Sequence, residues 1–200
     1  MNEDDYRPGD IAGHDLDRLF VVSGCSGGGK SALMIELARR GYRVFPEPGR
    51  QIVREQALLG CDAVPWGSME RFIEHCVVRS LHFHTLATAD TGPVFFDRCL
   101  IDAISALEAL GGSVPAGYRT AVDRCRYAPV VIMAPPWEEL FRSDGERRHA
   151  FADAVAEYER LLVAFPALGY EPVILPKTTV PNRADFIETE LKRRQLLPAA

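Results

Sequence analysis

The sequence predicts an α/β fold: a parallel sheet with helices on both faces. Three observations carry this. Short apolar runs alternate with helical periods from Leu19–Val22 onward to Pro172-Val173-Ile174-Leu175, the order in which crossover helices return a chain to one parallel sheet. The run Pro129-Val130-Val131-Ile132-Met133-Ala134 is apolar throughout, as a strand covered on both faces must be. Between the first strand and the first helix lies Gly24-Cys25-Ser26-Gly27-Gly28-Gly29-Lys30-Ser31, which matches G-x-x-x-x-G-K-[ST] in the strand–loop–helix context of a phosphate-binding P-loop.

Taken in order, residues 1–17 are acidic and aperiodic and read as a flexible N-terminal arm, followed by one domain over 18–200. Leu19–Val22 is the first strand, and a helix follows the glycine loop until Gly41. Arg43-Val44-Phe45 is a second strand. The next helix has Pro48 in its first turn and Gly60 at its end. Residues 60–67 are a loop. Ser68 N-caps a long helix whose Met69, Phe72, Ile73, Cys76, Val77, Leu81 and His84 repeat every three or four positions. Val94-Phe95-Phe96-Asp97 is a strand ending in a carboxylate, and a helix with Leu100, Ile101, Ile104 and Leu107 runs to Gly111-Gly112. A weaker helix covers 116–126. Ser143-Asp144-Gly145-Glu146 has the form of a capping box and predicts a helix from there through Phe165. The last helix is expected to be capped near Asn182.

The glycines at 24, 27, 28 and 29 are expected to take positive φ and to turn backbone amides toward an anion. The following helix points its free N–H groups and positive end at the same place. Lys30 is placed to reach the β- and γ-phosphates, and the Ser31 hydroxyl to help hold Mg²⁺. Cys25 reads either as a small residue at a variable loop position or as an oxidation site.

Composition narrows the partners. With 47% apolar and 26% charged residues the chain has the profile of a soluble globular protein. A net charge of −5 and no basic stripe argue against nucleic-acid binding. No apolar run reaches membrane-spanning length and no signal pattern opens the chain. Five cysteines without C-x-x-C spacing fit reduced thiols in the cytoplasm. His82 and His84 lie two apart on one helix and share no face, so they read as packing or surface groups.

Nucleotide-site residues of such folds gather at the carboxyl ends of the strands. Asp97 has the position of a strand-end acid that binds Mg²⁺, or else caps the next helix. Arg98 contacts a phosphate or substrate, or lies on the surface. Glu47 either accepts a proton from an attacking hydroxyl or is a favourable charge at a helix N-terminus. Arg50, one turn on, holds substrate or pairs with Glu47. Arg142, Arg147 and Arg148 sit in a polar stretch after the fourth strand, either a lid over 137–149 that brings guanidinium groups to the phosphates or a solvated turn.

Phe20–Ser31, Phe45-Pro46-Glu47-Pro48-Gly49-Arg50, Val94–Arg98 and Ala134–Glu139 with Asp144–Arg148 resemble the AAA-family ATP/GTP-binding proteins related to the ribosylnicotinamide-kinase domain of NAD-salvage regulators. Glu-Pro after strand two and Asp-Arg after strand three also resemble the deoxynucleoside kinases. The resemblance covers about Leu19 to Leu191. It implies a P-loop three-layer α/β/α fold with a five-stranded sheet in order 2-3-1-4-5. It also implies Glu47 as base, Asp97 on Mg²⁺, Arg98 on phosphate and the 142–148 arginines in the lid. Cys99 departs from it, since those kinases tend to have serine there. Two hundred residues leave no room for the helical lid domain of ring-forming motors, so a hexameric motor is not expected.

The expected function is that of a kinase moving the γ-phosphoryl of Mg-ATP, with GTP as the other candidate donor, to a hydroxyl of a nucleoside-like or other small metabolite. The alternatives are a nucleotide-dependent switch acting on a protein partner and a module that holds nucleotide without turnover. Nothing in the residues indicates an oligomeric state.

Overall fold

The computed structural model describes residues 6–10, 15–141 and 150–198. Its five strands are β1 (Leu19–Gly24), β2 (Arg43–Phe45), β3 (Val94–Asp97), β4 (Val130–Ala134) and β5 (Glu171–Ile174). All pair in parallel, in the order β2-β3-β1-β4-β5. Seven helices connect them among the described residues: α1 (Lys30–Arg39), α2 (Pro48–Leu59), α3 (Met69–Thr88), α4 (Leu100–Ala109), α5 (Ala116–Arg124), α6 (Phe151–Ala167) and α7 (Val180–Arg193). The expected architecture and strand order are therefore present. None of these helices is long and apolar enough to cross a membrane.

The two-residue period of a strand divides the core. Leu19 and Val21 of β1 face a layer that includes Ile73, Leu100, Ile104 and Leu161. Phe20 and Val22 face the opposite layer, with Leu33 and Leu37 of α1 and Ile187 and Leu191 of α7. Both β1 and β4 are buried along their whole length, which is why Leu19–Val22 and Val130–Ala134 are continuously apolar.

Several element ends depart from the sequence reading, among them β1, which runs on to Gly24, and α5, which ends at Arg124. Helix α6 starts at Phe151, where Asp153 accepts the Ala150 N–H at 2.9 Å, so this turn carries its own cap. The Ser143–Glu146 box lies outside the described residues. Helix α7 starts at Val180, ahead of Asn182, with Pro181 in its first turn, where a missing N–H costs nothing. Strand β5 covers Glu171–Ile174, one residue earlier than expected. The five cysteines form no disulfide. His82 contacts the Tyr6 hydroxyl and His84 the Arg126 carbonyl.

Candidate active site

The carboxyl ends of β1, β2 and β3 converge, and the loop after β1 is built by close approach. Gly24 has φ 107°, and a Cβ there would run into the Ala134 backbone of the neighbouring strand. Gly29 has φ 78°, and its Cβ would lie 2.8 Å from Arg183 Nη1. Gly27 is also left-handed but Gly28 is not, so three of the four loop glycines have the expected positive φ. Arg183, 1% exposed on α7, braces the loop from behind by donating to the Gly28 carbonyl at 3.0 Å. Cys25 is fully buried. Lys30 opens α1 and donates to Cys25 O at 2.9 Å and Gly24 O at 3.4 Å. Burial, and then the nearby Arg98, hold its ammonium below the ordinary lysine range.

Asp97 ends β3 against this loop. It is 2% exposed; Oδ2 accepts from the Ser31 hydroxyl at 3.5 Å, and Oδ1 has no partner. Burial, with Glu47 next in weight, pushes its carboxyl up to about 7. It does not cap α4. Cys99 occupies that N-cap, and its N–H goes to Asp102 Oδ2 at 3.0 Å. A buried carboxylate with an unspent oxygen, beside a hydroxyl on the phosphate loop, fits the hard oxygen donors that Mg²⁺ takes.

Arg98 follows with φ 68°, an unusual conformation for a side-chain-bearing residue. Its guanidinium meets three carboxylates. Glu47 Oε1 is 3.4 Å from Nε, Asp102 Oδ1 3.2 Å from Nη1, and Glu157 Oε1 2.9 Å from Nη1. Burial opposes its charge, but Glu157, Glu47 and Asp102 outweigh burial and hold the guanidinium charged. Asp102 is in turn fixed to the sheet by the Ser23 hydroxyl of β1 at 2.5 Å. Glu157, on α6, also accepts the Ser26 N–H of the phosphate loop at 3.2 Å. Burial works against its ionisation, yet Arg98 and Lys30 keep its pKa below the ordinary range.

Glu47 occupies the backbone N-cap position of α2 but makes no side-chain cap. Its carboxylate turns to Arg98 instead and reaches Arg50 Nε at 3.4 Å. It lies at a junction. On one side is the phosphate cradle, lined by Ser26, Gly27, Gly29, Lys30 and Ser31. On the other is a cavity of about 500 Å³ between α2, α3, α4 and α6. Ser26, Glu47 and Arg50 line both.

Lys30, Ser31, Glu47, Asp97 and Arg98 thus share one site. Arg142, Arg147 and Arg148 lie outside the described residues. The sequence reading did not find Asp102, Glu157 or Ser23. Asp102 carried a faint signal, a lone acid in Leu100-Ile101-Asp102-Ala103-Ile104 one turn beyond Arg98. Glu157 carried none, because only the packing of α6 brings it to the loop.

A parallel sheet in this order, with a glycine loop after β1 and an acid at the end of β3, defines a P-loop nucleotide-binding protein of the kinase branch. A family model described as an AAA domain matches residues 19–183, and the chain belongs to that family. No curated protein matches the sequence. Solved structures share the fold. One is a deoxyadenosine kinase from M. mycoides with bound dATP, with a TM-score of 0.58, 15% identity, and coverage of 87% of this chain and 98% of that one. Its dCTP complex gives a TM-score of 0.53 at 14% identity, covering 88% and 98%. YorR from Bacillus subtilis, in complex with phosphorylated GDP, gives 0.50 at 16%, with the same coverage.

Proposed function

We propose that this protein is a small-molecule kinase that transfers the γ-phosphoryl of ATP, or of GTP, to a hydroxyl of a nucleoside-like metabolite. The observation that carries this reading is the position of Glu47, between the phosphate cradle and a cavity large enough for an acceptor. A nucleotide switch or a plain NTPase needs no second cavity at that point. The dATP and dCTP bound in the structurally similar deoxyadenosine kinase support a nucleoside triphosphate as a ligand of this fold.

In the proposed reaction the acceptor hydroxyl oxygen bonds to the γ-phosphorus, the bond to the β,γ-bridging oxygen breaks, and the hydroxyl proton passes to a Glu47 oxygen. The nucleoside diphosphate leaves. Lys30 and the loop amides neutralise the β- and γ-phosphates, and Arg98 holds Glu47 and faces the transferring group. Ser31 and Asp97 would hold Mg²⁺, which supplies charge neutralisation to the phosphates. Arg142, Arg147 and Arg148 are assigned to a lid over 137–149 that adds positive charge as the site closes. Because the protein does little covalent chemistry in such a transfer, catalysis rests on placement and charge. The reduced thiols suit a cytoplasmic enzyme.

The test is a panel of nucleosides and small alcohols assayed for stimulated ATP consumption. Stimulation by one acceptor class, with formation of its monophosphate, supports the kinase. A flat panel beside steady basal hydrolysis supports a switch.

A further inference from the structure

The cavity beside Glu47 contains two polar groups that the transfer chemistry leaves unused. Ser80, on the α3 wall, is 3% exposed and its hydroxyl has no hydrogen-bond partner. Helical hydroxyls commonly donate back to the preceding turn, as Thr85 does to the Leu81 carbonyl at 2.8 Å. Ser80 does not, so a buried hydroxyl is left unspent at the cavity wall. Arg160, on the α6 wall, donates through Nε to the Ser105 hydroxyl at 3.0 Å. Its two Nη groups make no hydrogen bond among the described residues. Glu157, one turn earlier, is already committed to Arg98 and Ser26. The surrounding surface is apolar and partly aromatic, with Trp66, Met69, Phe72 and Ile73.

These features constrain the ligand. An arginine only donates, so what meets it must accept. The lining carries Glu47, Asp102, Asp153 and Glu157 against Arg50, Arg98 and Arg160, an excess of one negative charge that disfavours a carboxylate ligand. Aromatic and thioether walls suit a flat ring. We propose that Ser80 and Arg160 are specificity-determining residues, and that the acceptor is a neutral heterocyclic alcohol whose ring bears a carbonyl oxygen. This deepens the kinase reading and rests on it. An oxo-purine offers Arg160 paired O6 and N7 acceptors for a two-pronged contact and an oxo-pyrimidine offers its carbonyl, whereas adenine offers only ring nitrogens and sets an amino donor beside N7, where it opposes a second arginine N–H. Sites built around a hydrogen bond reject ligands lacking the partner far more strongly than sites built on shape.

The experiment is calorimetric titration of the full chain with inosine, uridine and adenosine, in Mg²⁺ and a non-hydrolysable ATP analogue. Inosine and adenosine differ on the ring in the carbonyl that replaces the amino group. The oxo-nucleosides are expected to bind at least about tenfold tighter than adenosine, Arg160→Met to erase that preference, and Ser80→Ala to weaken oxo-nucleoside binding about tenfold. Ser80→Ala removes one unpartnered oxygen, so its thermal melting point should equal or exceed the parent's, which separates binding from folding. Adenosine binding as tightly as inosine, or the same preference in both variants, overturns the assignment while leaving the kinase reading intact. If none of the three nucleosides binds while the ATP analogue does, both the assignment and the nucleoside-like acceptor fall together.

Discussion

The Glu47 carboxylate lies 3.4 Å from the Arg98 guanidinium, and the same guanidinium is held by Asp102 and Glu157. Three elements therefore position Glu47 indirectly: β1 through Ser23 and Asp102, α4 through Asp102, and α6 through Glu157. The candidate base stands at the edge of a buried ionic cluster whose other members are fixed by the sheet and by helix packing.

Removing the charge of Asp102 should be costly. Its side chain is 6% exposed and it serves Ser23, Arg98 and the Cys99 N–H together. Breaking one partner of a buried ionic group costs about 3–5 kcal/mol. Asp102→Ala is expected to lower the melting temperature by roughly 10 °C, at about 2–4 °C per kcal/mol for a chain this size. An unchanged melting curve would show that the cluster contributes nothing to folding.

Asp97 gives a pH-dependent prediction. Burial and Glu47 raise its carboxyl from 3.8 to about 7 in the folded protein. A group with a raised folded pKa contributes stability that is fully present below the unfolded value, near pH 4, and is lost as pH rises through about 7. Three units at about 1.4 kcal/mol each put the cost at pH 8 on the order of 4 kcal/mol. Asp97→Asn removes that cost. In EDTA it should melt above the parent at pH 8 and close to it at pH 4.5, while losing Mg²⁺-dependent nucleotide binding. Equal melting shifts at both pH values would mean that the buried carboxylate is not the source.

Lys30→Ala removes the ammonium that now bonds the loop carbonyls. Losing a buried cation opposite phosphate costs at least about 2 kcal/mol, or roughly thirtyfold in affinity. Titration with a fluorescent ATP analogue measures it. Binding within twofold of the parent would remove Lys30 from the phosphate site.

The fold was largely legible in the residues because its determinants are local. β1 and β4 are apolar runs, Pro48 and Gly60 bracket α2, and Gly24–Ser31 specifies its own strand–loop–helix context. The candidate site was legible where strand ends carry it, at Glu47, Asp97 and Arg98, which the fold brings together. What stayed hidden depends on tertiary packing. Glu157 is 131 residues from the Ser26 amide it accepts, and no spacing rule connects them. Ser23 looks like any other residue of a buried strand until Asp102 is seen against it. The start of α6 differs from the expected one because the residues Ser143-Asp144-Gly145-Glu146 carry a capping-box pattern, whereas Asp153 serves the Ala150 amide at the observed start.

That Glu47 takes the proton of an acceptor hydroxyl is tested most directly by comparing Glu47→Gln with the parent. The measurement is the rate of monophosphate formation on the best acceptor of the nucleoside panel, alongside ATP affinity. A rate loss of about 10²–10⁴-fold is expected, the usual contribution of a general base, with ATP affinity within about twofold. A Glu47→Gln variant that forms monophosphate at the parental rate would contradict it.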